Sequence, residues 1–341
     1  MIWLTWRQQR VALLVLAVYV LALIALMAFH RDAMLDHIEA RAMWPCVPSR
    51  MDEACLHAMD STTWRWQTAV ENVRLAFIGY GLLVGVFLGA PLFAREFEQH
   101  TYLLALSQSV RPGRWFAVKV AFVVPAAVGA LVLGGVYLWW TAPMGKTIIP
   151  PDGFHAGLFE TQAPAMFGYV VFAVGLGVVA GLAVRRVVPA MAVTLAGWLS
   201  TLYVVRTFAR PRYLTPVVDE RPYGVPNAGY RDDGDRWRLH EGVTDLAGRF
   251  VPNTDRSVQA AADACRFSTD EPWQESALRA CMAKQGYRSA ADLVHPGDRF
   301  WLFQAFEATL FTALGVLCLI GASWWLRRRF RREVRVPAQI D

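Results

Sequence analysis

Six apolar runs dominate this chain, at about residues 11–29, 75–93, 120–140, 165–184, 187–205 and 300–326. A helix of about 19 residues is roughly 28 Å long, close to the hydrocarbon thickness of a bilayer. Inside lipid every backbone amide must find its partner within the protein, so runs of this length become helices. The pattern predicts an all-α integral membrane protein of six transmembrane helices, multi-pass in the cell membrane. With 55% hydrophobic and 18% charged residues, the chain is excluded from the disordered and ordinary soluble classes.

Lys and Arg density in the connecting segments sets the expected orientation. Segments 1–10, 94–119, 185–186 and 327–341 carry 14 basic residues in 53, whereas 30–74 and 141–164 carry 6 in 69. The first group is expected in the cytoplasm, which places both termini there. Segment 206–299 is long enough to cross whatever its charge, and its 14 basic and 14 acidic residues balance. The net charge of +6 therefore describes topology rather than nucleic-acid binding. The expected division is an interfacial helix 1–10, helices one to five over 11–205 with a cytoplasmic segment 94–119, an extracytoplasmic domain 206–299, helix six over 300–326, and a basic tail 327–341. Trp3, Leu4 and Trp6 beside Arg7, Gln8 and Arg10 suit an interfacial helix better than a cleaved leader. Trp324 and Trp325 before RRRFRREVR (327–335) form an aromatic belt with a basic flank.

Four of the five cysteines fall outside the membrane on this topology, where disulfides persist. Cys46–Cys55 and Cys265–Cys281 are the simplest of three pairings. Their spacings match no zinc pattern, so no metal site is expected. Cys318, within the last run, reads as a small hydrophobe.

Motifs for covalent chemistry are wanting. Gly145-Lys146-Thr147 lacks the first glycine of a phosphate loop, because position 140 is Trp. No HExxH occurs, and His30, Asp32, Asp36 and His37 at the exit of the first run read as a solvated rim. Glu307, one turn from Gln304, is the carboxylate that falls within a span. Charge facing hydrocarbon costs several kcal/mol, so two readings stand side by side: Gln304 and Glu307 line a polar pathway, with Glu307 facing a cavity between subunits, or Glu307 sits near the outer end of the last span, facing water or a neighbouring helix. Gly81, Gly85 and Gly89, and again Gly177 and Gly181, recur every four residues and predict close helix contact, foremost within one subunit. Arg185-Arg186 with Pro189 predicts a tight hairpin between spans four and five.

Segment 94–119 interrupts the apolar chain with charges of both signs. Arg95, Glu96, Glu98, Gln99 and His100 form a polar turn, followed by an apolar one at Tyr102, Leu103, Leu104 and Leu106. This reads as an amphipathic surface helix broken near Pro112-Gly113. Glu96 and Glu98, two residues apart, must point in different directions. One is expected to pair with Arg95 or a surface Arg, while the other stays open to a partner.

Residues 95–101, Arg-Glu-Phe-Glu-Gln-His-Thr, resemble the E-R-E-x-G-T-like motif of permease subunits of type-2 exporters among ATP-binding-cassette transporters. His100 stands where that family favours Gly. Segments 1–10, 85–119, 185–194 and 295–307 are similar to a bacterial subgroup. The resemblance implies that Arg95, Glu96, Phe97, Glu98 and Thr101 form a coupling helix against a separate ATPase subunit, with Phe97 and the Tyr102–Leu104 patch as its apolar anchor. It further implies two ATPase copies, a second permease copy as a homodimer, ATP and Mg on the partner subunit, and no cofactor or catalysis on this chain. Two rival readings are a membrane sensor or scaffold with a ligand-binding outer domain, and a membrane-embedded enzyme using Glu307. Many relatives have only short helices in place of 206–299.

Overall fold

In this computed structural model the described residues are 2–40, 68–69, 71–102, 112–141, 154, 158–221, 236–265 and 275–333. Among the described residues six helices are long and apolar enough to span a bilayer, one over each predicted run. The first is α1 (Ile2–Ala40). It is continuous from Ile2, so residues 1–10 do not form a separate interfacial helix. Leu16, Leu23, Met27 and Met34 are buried at helical spacing, while Val11, Leu14, Val15, Val18 and Phe29 are exposed. Both faces are apolar because the exposed one meets lipid rather than water. Asp32 and Asp36 are exposed near its end, as a solvated rim should be.

The second span is α2 (Glu71–Glu98). Its turn Val84–Gly89 is π-helical. Pro91 follows, with no N–H to give and a ring that crowds the carbonyl four residues back. The third span is two helices, α3 (Pro112–Ala121) and α4 (Val124–Thr141). After the short α5 (Leu158–Thr161) come α6 (Ala163–Val184) and α7 (Val187–Val204). The fifth span does not end at 205. It continues through a π-turn, Val205–Ala209, and a 3₁₀ turn, Arg210–Arg212.

Helix α6 is the hub. Its most apolar stretch is 67% buried, against 17% for α1 and for the fifth span. The widened turn of α2 packs on it through glycines. A Cβ on Gly177 would lie 2.7 Å from Gly85 O and Ala90 N, and one on Gly181 2.5 Å from Ala90 O. A Cβ on Gly85 would lie 2.8 Å from Ala173 Cβ. These distances forbid a larger residue, so the glycine repeat serves packing within the chain. Gly81 differs, since its nearest side-chain atom, on Trp198, would be 3.5 Å away. Arg185, in the left-handed conformation at φ 58°, and Arg186 make the tight hairpin between α6 and α7.

The insert after the fifth span corrects the all-α expectation. It holds a four-stranded antiparallel sheet of β1 (Val217–Arg221), β2 (Trp237–Asp245), β3 (Phe250–Pro252) and β4 (Tyr287–His295), in the order β1-β4-β2-β3. Two helices, α8 (Arg256–Ala264) and α9 (Glu275–Lys284), pack beside it around Val243, Val258, Met282 and Tyr287. Asp255 caps α8, and the hydrogen bonds it accepts from Ser257 hold its carboxyl below the usual range. The expected Cys265–Cys281 disulfide joins the end of α8 to α9, with Cα atoms 5.8 Å apart. On the loop-entropy account, closing a loop of this size contributes about 3 kcal/mol. Cys46 and Cys55 lie outside the described residues, as do 334–341 of the tail. The sixth span lies within α10 (Phe300–Glu333), where Cys318 is half-buried with a free thiol.

Candidate coupling site and buried charge networks

The last turn of α2 carries the motif. Thr101 N–H donates to Glu96 O at 3.0 Å and His100 N–H to Phe97 O at 3.3 Å. These are the two bonds of a Schellman cap, whose C′ residue must be left-handed. That residue is His100, at φ 57°. The turn therefore explains why glycine suits this position.

Residues 94–98 belong to the span itself, not to a separate surface helix. Phe97 is consequently buried, packing on Tyr102 at 4.7 Å between ring centroids, with the Arg185 guanidinium 5.8 Å from its ring. It is a contact within the chain, on the side of the α6–α7 hairpin, rather than an exposed anchor. Leu103 and Leu104 lie outside the described residues.

Glu96 and Glu98 do diverge. Glu96 is buried and pairs with Lys119 of α3, Nζ to Oε1 2.7 Å, not with Arg95 or a surface Arg. Lys119 Nζ also donates to Leu92 O at 2.8 Å and sits 5.2 and 5.3 Å from the rings of Phe93 and Trp115. Breaking one side of such a pair leaves a stranded charge and costs about 3–5 kcal/mol. The pair thus locks the end of α2 onto α3. Glu98 is exposed, and its Oε2 accepts from Val187 N–H at 2.9 Å, where the α7 amides are otherwise open. Arg95, Gln99 and Thr101 are exposed beside it. The segment is therefore a rigid knuckle that joins α2, α3 and the α6–α7 hairpin and presents Arg95 and Glu98 outward.

At the other end of the spans lies a second network. Arg210 grips Glu307 twice, Nε to Oε2 at 2.9 Å and a terminal nitrogen to Oε1 at 2.7 Å. The same nitrogen is 2.8 Å from Glu160 Oε1, and the guanidinium lies 4.1 Å above the Phe159 ring. Tyr169 O–H donates to Glu307 Oε1 at 2.5 Å, and Tyr213 O–H reaches Oε2 at 3.4 Å. Glu160, Arg210 and Glu307 are all at most 2% exposed. Gln304, also fully buried, donates to Phe159 O at 2.8 Å and accepts from Ala165 N–H at 3.2 Å, bridging the break between α5 and α6. The Glu307 carboxylate is thus held inside the chain and does not face outward between subunits.

Three of these residues escaped the sequence reading. Lys119 and Arg210 fall in the sequence among the basic residues of connecting segments, and Glu160 lies in the connecting segment 141–164. A signal existed for Arg210: an intramembrane carboxylate requires a cation, and Arg210 follows directly on the fifth run.

A family model described as ABC-2 membrane transporter related matches residues 17–210, from the first span to the end of the fifth. No curated protein and no solved structure matches the chain.

Proposed function

Because the chain belongs to the ABC-2-related membrane transporter family, we propose that it is the permease subunit of an ATP-driven exporter, coupled to a separate ATPase subunit. In this reading two permease copies and two ATPase copies assemble, ATP and Mg bind on the ATPase, and no covalent chemistry occurs on the permease. The α2 knuckle and both termini face the cytoplasm, and the sheet insert lies outside. The observation that supports coupling most directly is the Glu96–Lys119 lock. It makes the motif a rigid extension of α2, so a push on Arg95 and Glu98 moves a span rather than a loose loop. The pathway borders the joint at Gln304 and Glu307, where buried charges tie the fourth, fifth and sixth spans, as intramembrane charges at functional sites do.

The test compares two substitutions. Glu98→Lys keeps the buried lock and reverses an exposed charge. It should fold and insert normally, yet weaken ATPase co-purification by about 2–5 kcal/mol, the cost of a stranded charge at an interface. Glu96→Lys places two cations side by side in the interior and should fail earlier, at accumulation of folded protein. Normal ATPase co-purification and export by Glu98→Lys would remove the coupling role from this face.

A further inference from the structure

The seam between the fifth span and the sheet holds an open groove of about 700 Å³, away from the coupling knuckle and distinct from the Arg210 joint. Arg206, Arg212, Arg238 and His240 line it together with Leu214, Trp237 and Leu293, and no carboxylate lines it among the described residues. The neighbouring acids among the described residues are accounted for. Glu241 pairs with Arg238 at 2.6 Å, and Asp292 is 3.7 Å from the same guanidinium. Arg212 gives one hydrogen bond to the Phe208 carbonyl, and Arg206 is exposed at the groove wall. Arg206 and Arg212 therefore line the groove with no carboxylate paired to either among the described residues.

Its position decides what kind of anion fits. Arg206 and Arg212 sit where the fifth span leaves its apolar stretch, and Tyr203 and Phe208 of the same span are 65% and 53% exposed. The groove thus sets the apolar side chains of Leu214, Trp237 and Leu293 beside basic ones, next to the point where the fifth span leaves its apolar stretch. We infer that this groove binds a phosphate-bearing anionic group, as found on the headgroup of an acidic phospholipid-like amphiphile or on a soluble phosphate ester. Volumes of this size hold a headgroup with the start of its chains. Arg forks match phosphate oxygens, and Trp237 in the lining suits the level where headgroup meets tail. The inference does not depend on the direction of transport or on the ATPase.

The test uses the full-length chain in phosphatidylcholine nanodiscs, with and without phosphatidylglycerol, and in detergent with inorganic phosphate. Bound lipid is counted by native mass spectrometry, and phosphate binding by calorimetry. Each basic residue near a lipid surface contributes about fivefold in affinity, so Arg206→Gln/Arg212→Gln should lose roughly thirtyfold for the bound anion. Arg249→Gln, on the far hairpin of the insert, should leave binding unchanged. Retention of phosphatidylglycerol that the double variant loses assigns the group to a lipid. Phosphate binding that the double variant loses assigns it to a soluble ester. The intact Cys265–Cys281 disulfide and an unchanged elution volume verify the fold, and Arg206→Gln alone, on an exposed side chain, should lose about fivefold. No binding of either probe, or binding equal in the parent and the folded double variant, overturns the inference.

Discussion

At the scale of single residues, His100 shows how a departure from a family pattern becomes physical once the backbone is seen. A residue with a Cβ in the left-handed region gives up about 1–2 kcal/mol, and glycine gives back part of that gain through its greater freedom when unfolded. His100→Gly should therefore raise stability modestly, by about 1 kcal/mol or less, while His100→Val, with its branched Cβ, should lower it by about 1–2 kcal/mol. Thermal melting of the detergent-purified protein should rank the three as Gly, His, Val from most to least stable. The reverse rank would mean that the α2 cap does not hold this conformation in the membrane protein. The same scale explains why Glu96 and Glu98, two positions apart, have opposite fates. One turns inward to Lys119 and the other outward beside the Val187 amide.

At the scale of elements, the spans were legible because a membrane helix asks little of its sequence beyond apolar length. Their ends were not, because Glu96, Lys119 and Arg210 are charges that look like loop residues until a partner on another helix is placed beside them. The sheet was illegible for a different reason. β2 exposes His240 and Glu241 and then buries Gly242, Val243 and Thr244 in succession, with a register shift between Arg238 and His240, so burial along the strand does not follow a period of two. The joint of Arg210 with Glu160 and Glu307 carries a prediction at this scale. One guanidinium faces two carboxylates, so the two sides are not equivalent. Glu307→Gln leaves Arg210 paired with Glu160 and should be tolerated in expression. Arg210→Gln strands both carboxylates in the interior and should cost about 3–5 kcal/mol, enough to empty the folded peak in size-exclusion chromatography. Equal losses from the two substitutions would show that the joint does not hold the fifth and sixth spans together as described.

At the scale of the whole molecule, the two ends of the bundle are chemically different, and contacts among the described residues assign several elements to one or the other. Glu98 meets the α6–α7 hairpin, and Arg185 of that hairpin lies 6.0 Å from the Trp325 ring near the end of α10. Arg31, late in α1, lies 4.4 Å from the ring of Trp139, late in α4, so the start of α1 belongs to the end of the bundle where α3 begins. The knuckle, the start of α1 and the end of α10 therefore share one side, and the sheet insert takes the other. Basic residues collect at the first end, where Arg328 also lies 3.7 Å above the Trp324 ring, and a cytoplasmic leaflet attracts such charge. Cysteines introduced at Gln99, exposed beside the knuckle, and at Leu246, 71% exposed on the hairpin between β2 and β3, should consequently react with a membrane-impermeant maleimide from opposite sides. Gln99→Cys should label only after the cells are opened and Leu246→Cys in intact cells, each read against the parent chain with its native cysteines. Labelling of both from the same side would break the six-span path. The opposite assignment would keep the path and turn the molecule over, placing the knuckle beyond reach of any cytoplasmic ATPase and ending the coupling proposal with it.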